Sequence, residues 1–186
     1  MISWKDDESD GLYERQMLID PDARTKTSAY YYAPAASGEG RQIMRAFWFW
    51  FMTQLSEKGL HIDNIILGNE VNAPLYWHYS GNVSWTDKVQ KYATSFYDMR
   101  QIVRSFSNKP RLSICLDHSW CHNDEGRAIT AMSYLSAFDA DLKTLNDGNP
   151  VDDKIVSFVG IAPMDGPRFV VLVALDTPST ETGYYI

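Results

Sequence analysis

The run Ile65-Ile66-Leu67-Gly68-Asn69-Glu70-Val71-Asn72 carries three branched apolar residues into a glycine, then an amide, a carboxylate and a second amide. Groups of the latter kind cost free energy to desolvate, so a strand that delivers them must end at an opening rather than in a core. A glutamate presented there suits glycosidic cleavage. In that reaction one carboxylic acid protonates the leaving oxygen, a second carboxylate attacks the sugar carbon, and hydrogen bonds to the 2-hydroxyl strengthen in the transition state. Glu70 is the candidate acid, Asn69 has the amide for the 2-hydroxyl, and Asn72 and Trp77 are further candidate sugar contacts. A general acid needs a raised pKa, which apolar neighbours such as Trp77 or Trp120 supply by disfavouring the carboxylate. Asn-Glu alone fits a helix start or a turn with a solvated carboxylate equally well. The preceding strand, the glycine, the second amide and the aromatics Tyr76, Trp77 and Tyr79 weigh toward a site.

A second cluster follows the apolar run Arg111 to Leu116: Asp117-His118-Ser119-Trp120. Asp117 is read as substrate-lining beside Glu70 or as structural. His118 and Trp120 either line a sugar subsite, the indole stacking on a pyranose face, or pack a loop over the sheet end. Cys115, Asp117, His118, Cys121, His122 and Asp124 fall within ten positions. A Cys-x5-Cys-His run lacks the paired two-residue spacers of structural zinc sites, so no metal site is expected. Gly38-Glu39-Gly40 lacks the third glycine of a phosphate cradle. No cofactor is implied.

These groups need elements to position them. Residues 1–27 are polar and turn-rich, with Asp20-Pro21-Asp22 as a turn signal, and read as loop. Ser28 to Ala33 reads as a short strand stopped by Pro34. Arg41 to Ser56 has helical spacing, with Ile43, Phe47, Trp50, Phe51 and Leu55 as the expected inward stripe, and Lys58-Gly59 as the stop. The Ile65 to Leu67 strand follows. A second helix runs from Thr86-Asp87 to Ser107, with Val89, Tyr92, Ala93, Phe96, Val103 and Phe106 on one stripe. A strand at Arg111 to Leu116 comes next, then a helix from Ala128 to Leu145 with Met132, Leu135, Phe138 and Leu142 inward. Alternating strand and helix calls for parallel strands joined by right-handed crossovers, with function at their carboxyl ends. After Asn146-Asp147-Gly148-Asn149-Pro150 the pattern changes to two β-rich runs, 154–162 and 168–175, around Pro163-Met164-Asp165-Gly166-Pro167, which reads as a hairpin.

Bulk composition narrows the class. With 45% hydrophobic, 22% charged and 13% aromatic residues the chain is globular. Its 186 residues fall short of the roughly 250 typical of a closed eight-stranded βα barrel. The expected fold is therefore α/β, a partial βα-barrel-like parallel sheet over 28–148 with a C-terminal antiparallel β-hairpin over 153–186. A net charge of −7, from 17 basic against 24 acidic residues, argues against a nucleic-acid partner. The acidic N-terminus lacks the apolar core of an export signal, and the run Ala46 to Met52 is too short to span a bilayer, so no membrane partner is expected. Two cysteines are too few for a disulfide scaffold. An open βα sheet leaves an unpaired edge that invites self-association, and the hairpin is a candidate cover for it.

Several blocks in order, AYYYA, IILGNEVN, LYWHYSGN, KYATSFYDMR and RLSICLDHSW, resemble the middle of a bacterial domain family of unknown function similar to clan-A glycoside hydrolases. The resemblance covers Ser28 to about Asn146. It implies a (β/α)8 lineage with retaining chemistry, in which Asn69-Glu70 matches the Asn-Glu closing the fourth strand, with Glu70 as acid/base. The nucleophile of that clan is a glutamate on the seventh strand, and no residue here matches it. The early barrel strands are also largely missing. The chain is therefore expected to bind carbohydrate, with weak or no activity alone; a non-catalytic carbohydrate-binding remnant is the alternative. Residues Asp153 to Ile186 resemble the last sheet strands of the transpeptidase domain of penicillin-binding proteins, without the Ser-x-x-Lys and Lys-Thr-Gly motifs that carry its chemistry, so a transpeptidase fragment lacking its catalytic motifs is a further alternative. Two unrelated resemblances in one chain suggest a chimera, a misjoined gene product or a generated sequence.

Overall fold

The computed structural model describes residues 17–24, 31–75, 77–117, 119 and 128–149, and the backbone of 154–162 and 169–176. The fold is mixed α/β. In chain order come α1 (Gly38–Glu57), β1 (Asn64–Leu67), α2 (Trp85–Arg104), β2 (Arg111–Cys115), α3 (Ala131–Leu145), β3 (Lys154–Ala162) and β4 (Phe169–Asp176). β1 and β2 pair in parallel, with Asn64 opposite Arg111 and Leu67 opposite Ile114. β3 continues the parallel register beside β2, and β4 lies antiparallel to β3. The spatial order β1-β2-β3-β4 follows the chain, and α2 and α3 share one core with β1 and β2.

Each helix has a local reason for its ends. α1 stops where Gly59 takes a left-handed φ of 64° and the Leu60 amide donates to the Leu55 carbonyl at 2.9 Å, closing the last turn. At the start of α2, Ser84 accepts from the Asp87 amide at 3.1 Å and donates to its carboxylate at 2.6 Å, a reciprocal cap. Thr130 caps α3 by accepting from the Ser133 amide at 3.4 Å.

Strand alternation sends Ile65, Leu67, Leu112 and Ile114 to the helices, where they join Tyr92, Phe96, Met99, Tyr134, Phe138 and Leu142 in one core. Its centre is aromatic: the Phe138 ring lies 5.5 Å from Tyr92 and 5.2 Å from Phe96, the latter edge to face. The opposite sheet face carries Asn64, which accepts from Ser113 Oγ at 2.8 Å, and Ile66, which is 55% exposed.

The helices differ in detail from the periodicity. On α1 the buried residues are Gly40, Met44 and Met52, with Trp48 and Leu55 packed beside them, while Ile43, Phe49 and Trp50 are exposed. The run Ala46 to Met52 is apolar all round, so spacing alone does not choose its inward face. α2 keeps the expected stripe as far as Val103, and on α3 Tyr134 is buried where Met132 and Leu135 are only partly covered. Within the nominal N-terminal loop, Ile19, Asp20 and Ala23 are buried. Of the strand expected at 28–33, residues 28–30 lie outside the described residues, and 31–33 make a parallel bridge from Tyr32 to Tyr79.

Gly68, which ends β1, has a φ of 80°, and a Cβ added there would sit 2.6 Å from Val71 Cγ1. Gly59 shares the left-handed backbone, with nothing within 4 Å. Gly59→Ala should therefore cost about 1 kcal/mol and Gly68→Ala about 2–3 kcal/mol in denaturant melts, the difference reporting the steric contact.

Candidate functional site

Beyond Leu67 the chain turns through Gly68 and through Glu70, whose φ of 45° is left-handed although it is not glycine. Such a backbone costs of order 1 kcal/mol and persists only where its neighbours over-determine it. Here they do. The Ala73 amide donates to the Glu70 carbonyl at 2.7 Å, and the Val71 amide donates across to the Cys115 carbonyl at 3.1 Å.

Asn72, fully buried, finishes the arrangement. Its Oδ1 accepts from the Asp117 amide at 2.6 Å, its Nδ2 donates to the Ile129 carbonyl at 2.8 Å, and its own carbonyl accepts from the Ile129 amide at 2.6 Å. One side chain thus ties the end of β1 to the end of β2 and to the entry of α3. Its amide is taken up by backbone, so Asn72 acts as a brace instead of facing a ligand.

Glu70 and Asp117 each stand three residues past the registered pair Leu67 and Ile114, on adjacent strand ends. Asp117 Oδ1 accepts from the Ser119 amide at 2.8 Å, which commits part of the carboxylate to its own turn. Cys115 Sγ lies 3.7 Å from Asn69 Oδ1. His118, Trp120 and Tyr76, with Cys121, His122 and Asp124 of the cysteine-rich cluster, lie outside the described residues. Among the described residues no group of three or more His, Cys, Asp or Glu side chains is placed to hold a metal ion.

A narrow cleft of about 90 Å³ lies at the carboxyl end of β1. Leu67, Gly68 and Asn69 form one wall, α1 contributes Arg41, Met44, Arg45 and Trp48, and α2 contributes Tyr92, Ser95 and Asp98. Tyr31 and Trp77 close another side with their rings stacked at 5.4 Å. Asn69 and Trp77 of the expected residues line this cleft; Glu70 follows Asn69 in the chain, and neither Glu70 nor Asp117 is among the lining. The aromatics Tyr31, Trp48 and Tyr92, the charged trio Arg41, Arg45 and Asp98, and His78 had no local motif to mark them. The one sequence signal was the four-residue spacing of Arg41 and Arg45, which puts both on one helix face.

Tyr92 anchors the cleft floor by donating to the Leu67 carbonyl at 2.6 Å, and burial pushes its phenol well above the ordinary range. His78 packs edge to face on Tyr92 at 5.2 Å, and burial lowers its pKa from 6.5 to about 4. The imidazole is therefore neutral at pH 7.

A family profile matches residues 4–149. The chain belongs to DUF5722, a family of unknown function. The match begins well before Ser28, so the segment that reads as loop is part of the DUF5722 unit, and it ends ahead of β3. No curated protein and no solved structure matches the chain. Among the described residues of this DUF5722 chain, no helix is long and apolar enough to cross a membrane.

Two outcomes follow from the braces. Asn72→Ala leaves the Asp117 amide and the Ile129 carbonyl without their partner, and should cost about 2–4 kcal/mol with faster amide exchange at both segments. Because the pKa of His78 is lowered on folding to about 4, the unfolded chain binds the extra proton between pH 6.5 and pH 4. Its contribution is thus complete above pH 6.5 and is lost as pH falls, by an amount on the order of 3 kcal/mol. From pH 6.5 down to pH 4 the native chain should lose that amount of stability relative to His78→Phe in denaturant melts.

Proposed function

We propose that the chain is a glycoside hydrolase-like, carbohydrate-binding unit on a partial βα barrel, with β3 and β4 as a C-terminal hairpin extending the sheet. Glu70 is its acid/base and Asn69 the partner of the sugar 2-hydroxyl. The observation that carries this reading is the cleft at the end of β1. Asn69 lines it together with the aromatic residues Tyr31, Trp48 and Trp77 and the charged side chains of Arg41, Arg45 and Asp98. Pyranose rings present an apolar face and a polar rim, and that combination matches such walls.

The strained left-handed backbone at Glu70 favours a functional role over a solvated turn residue. The chemistry runs as in a retaining site: the protonated carboxyl donates to the leaving oxygen while a second carboxylate about 5 Å away attacks the sugar carbon. Asp117 is the side chain whose strand-end position corresponds to that of Glu70. Its bond to the Ser119 amide favours weak turnover over efficient turnover. Sugar binding is accordingly the principal activity of this chain.

Calorimetric titration with oligosaccharides and a fluorogenic aryl-glycoside assay test the two parts separately. Trp77→Ala should weaken oligosaccharide binding about tenfold, the worth of one lost stacking face. Glu70→Gln should leave binding within twofold and abolish whatever aryl-glycoside hydrolysis the native chain shows. Absence of any oligosaccharide binding by the native chain would falsify the reading, and hydrolysis that survives Glu70→Gln removes the acid/base assignment.

A further inference from the structure

We infer that the sugar held in the cleft is an acidic one, a uronic acid whose carboxylate is received by Arg41 and Arg45. The inference rests on the carbohydrate reading above and adds the substrate class. The charged groups lining the cleft are Arg41, Arg45 and Asp98. With His78 neutral, the lining carries one unit of positive charge in a chain whose net charge is −7. That local sign is opposite to the field of the whole molecule.

The ion cluster is built more richly than neutralising Asp98 requires. Arg41 grips the aspartate through two nitrogens, Nε at 2.6 Å and Nη2 at 2.9 Å. Its hydrogen bond to Asp98 holds the Arg41 guanidinium above its ordinary pKa against the opposing pull of burial. One such bidentate pair already balances the charge of a carboxylate. Arg45 nevertheless adds Nη1 at 3.0 Å to the Oδ1 that already accepts from Arg41.

Arg45 is half exposed where Asp98 is 8% exposed. Among the described residues, the other nitrogens of its guanidinium have no partner. Asp98 thus orients two guanidinium groups and leaves one with donors and charge to spare, facing the cleft. A planar fork already fixed in place loses little rotamer freedom on meeting a second carboxylate. One surplus positive charge matches one carboxylate.

The aromatic walls and the Asn69 amide make that carboxylate part of a sugar ring and not of a peptide or a free metabolite. A sulfate ester offers the same charge on a tetrahedral group, which the planar fork fits less well. Arg41 and Arg45 lie one helical turn apart, so a single pyranose can stack on the aromatic walls while its 6-carboxylate reaches the fork.

The test uses the full chain and a panel of tetrasaccharides containing glucuronate, galacturonate or mannuronate. Each is paired with its carboxyl-reduced neutral counterpart, and a sulfated neutral tetrasaccharide is included. At 50 mM salt the preferred uronate should bind at least tenfold more tightly than its reduced partner. Arg45→Gln should abolish that preference, so that the uronate and its reduced partner bind alike, and Arg45→Lys should restore part of it. Thermal melts of both variants confirm that they are folded.

Equal affinity for the uronate and reduced sugars overturns this inference and leaves the carbohydrate reading standing. A preference for the sulfated sugar, or one that survives Arg45→Gln, also overturns it. Binding of none of the sugars overturns both readings together.

Discussion

A single buried carboxamide holds the carboxyl ends of β1 and β2 together. Asn72 has no access to water and bonds through its side chain to two backbone segments that lie far along the chain, at Asp117 and Ile129. Parallel strands need this kind of help. Their carboxyl ends are followed by long crossovers, so nothing local keeps one strand's exit loop in register with its neighbour's. A side-chain amide supplies a donor and an acceptor at once, which lets it imitate a stretch of ladder beyond the last paired residues. With that brace in place the chain tolerates a left-handed glutamate immediately before it, because the bonds of Val71, Asn72 and Ala73 leave Glu70 little choice of backbone.

The cleft has a different origin from the strand ends alone. It opens where α1 and α2 meet the end of β1, so its walls are helix side chains from residues 41–48 and 92–98 together with the segments around Tyr31 and Trp77. The phenol of Tyr92 bonds the terminal carbonyl of β1 and so fixes how far the helix layer stands from the strand. The brace fixes the turn that carries Glu70, while helix packing builds the walls of the cleft. Two independent constraints therefore converge on one place, and the positions of Asn69 and Glu70 are where they join.

Much of this could be read before any coordinates. The alternation of apolar strands with helical stripes gave parallel pairing of β1 and β2, and the placement of Asn69 and Glu70 after β1 followed from the apolar run stopping at Gly68. The aromatic stripe of α2 was visible because polar residues flank it on the helix surface. The inward face of α1 was not, since Phe47 to Phe51 are all aromatic and periodicity carries no phase there. Nor was the cleft: Arg41 and Asp98 are fifty-seven residues apart, and only the packing of α1 on α2 brings them to 2.6 Å. Asn72 looked like a ligand contact because its amide is the right type; that its amide would be taken up by backbone depends on where the loop after β2 passes, which no local pattern records.

Lys91 of α2 donates to Asp20 at 2.7 Å, to Asp22 at 2.5 Å and to the Ser80 carbonyl at 3.3 Å. All three ammonium hydrogens are engaged. Burial by itself lowers the pKa of this amine, and the bonds to the two aspartates outweigh it to leave the value raised. The latch closes a loop of seventy-one residues between Asp20 and Lys91. Chain closure over such a span loses entropy that is recovered only once its receiving surface exists. α2 and the segment around Ser80 have to be assembled before Asp20 and Asp22 gain anything by docking on them. A stretch that lies near the start of the sequence is thus among the last to settle.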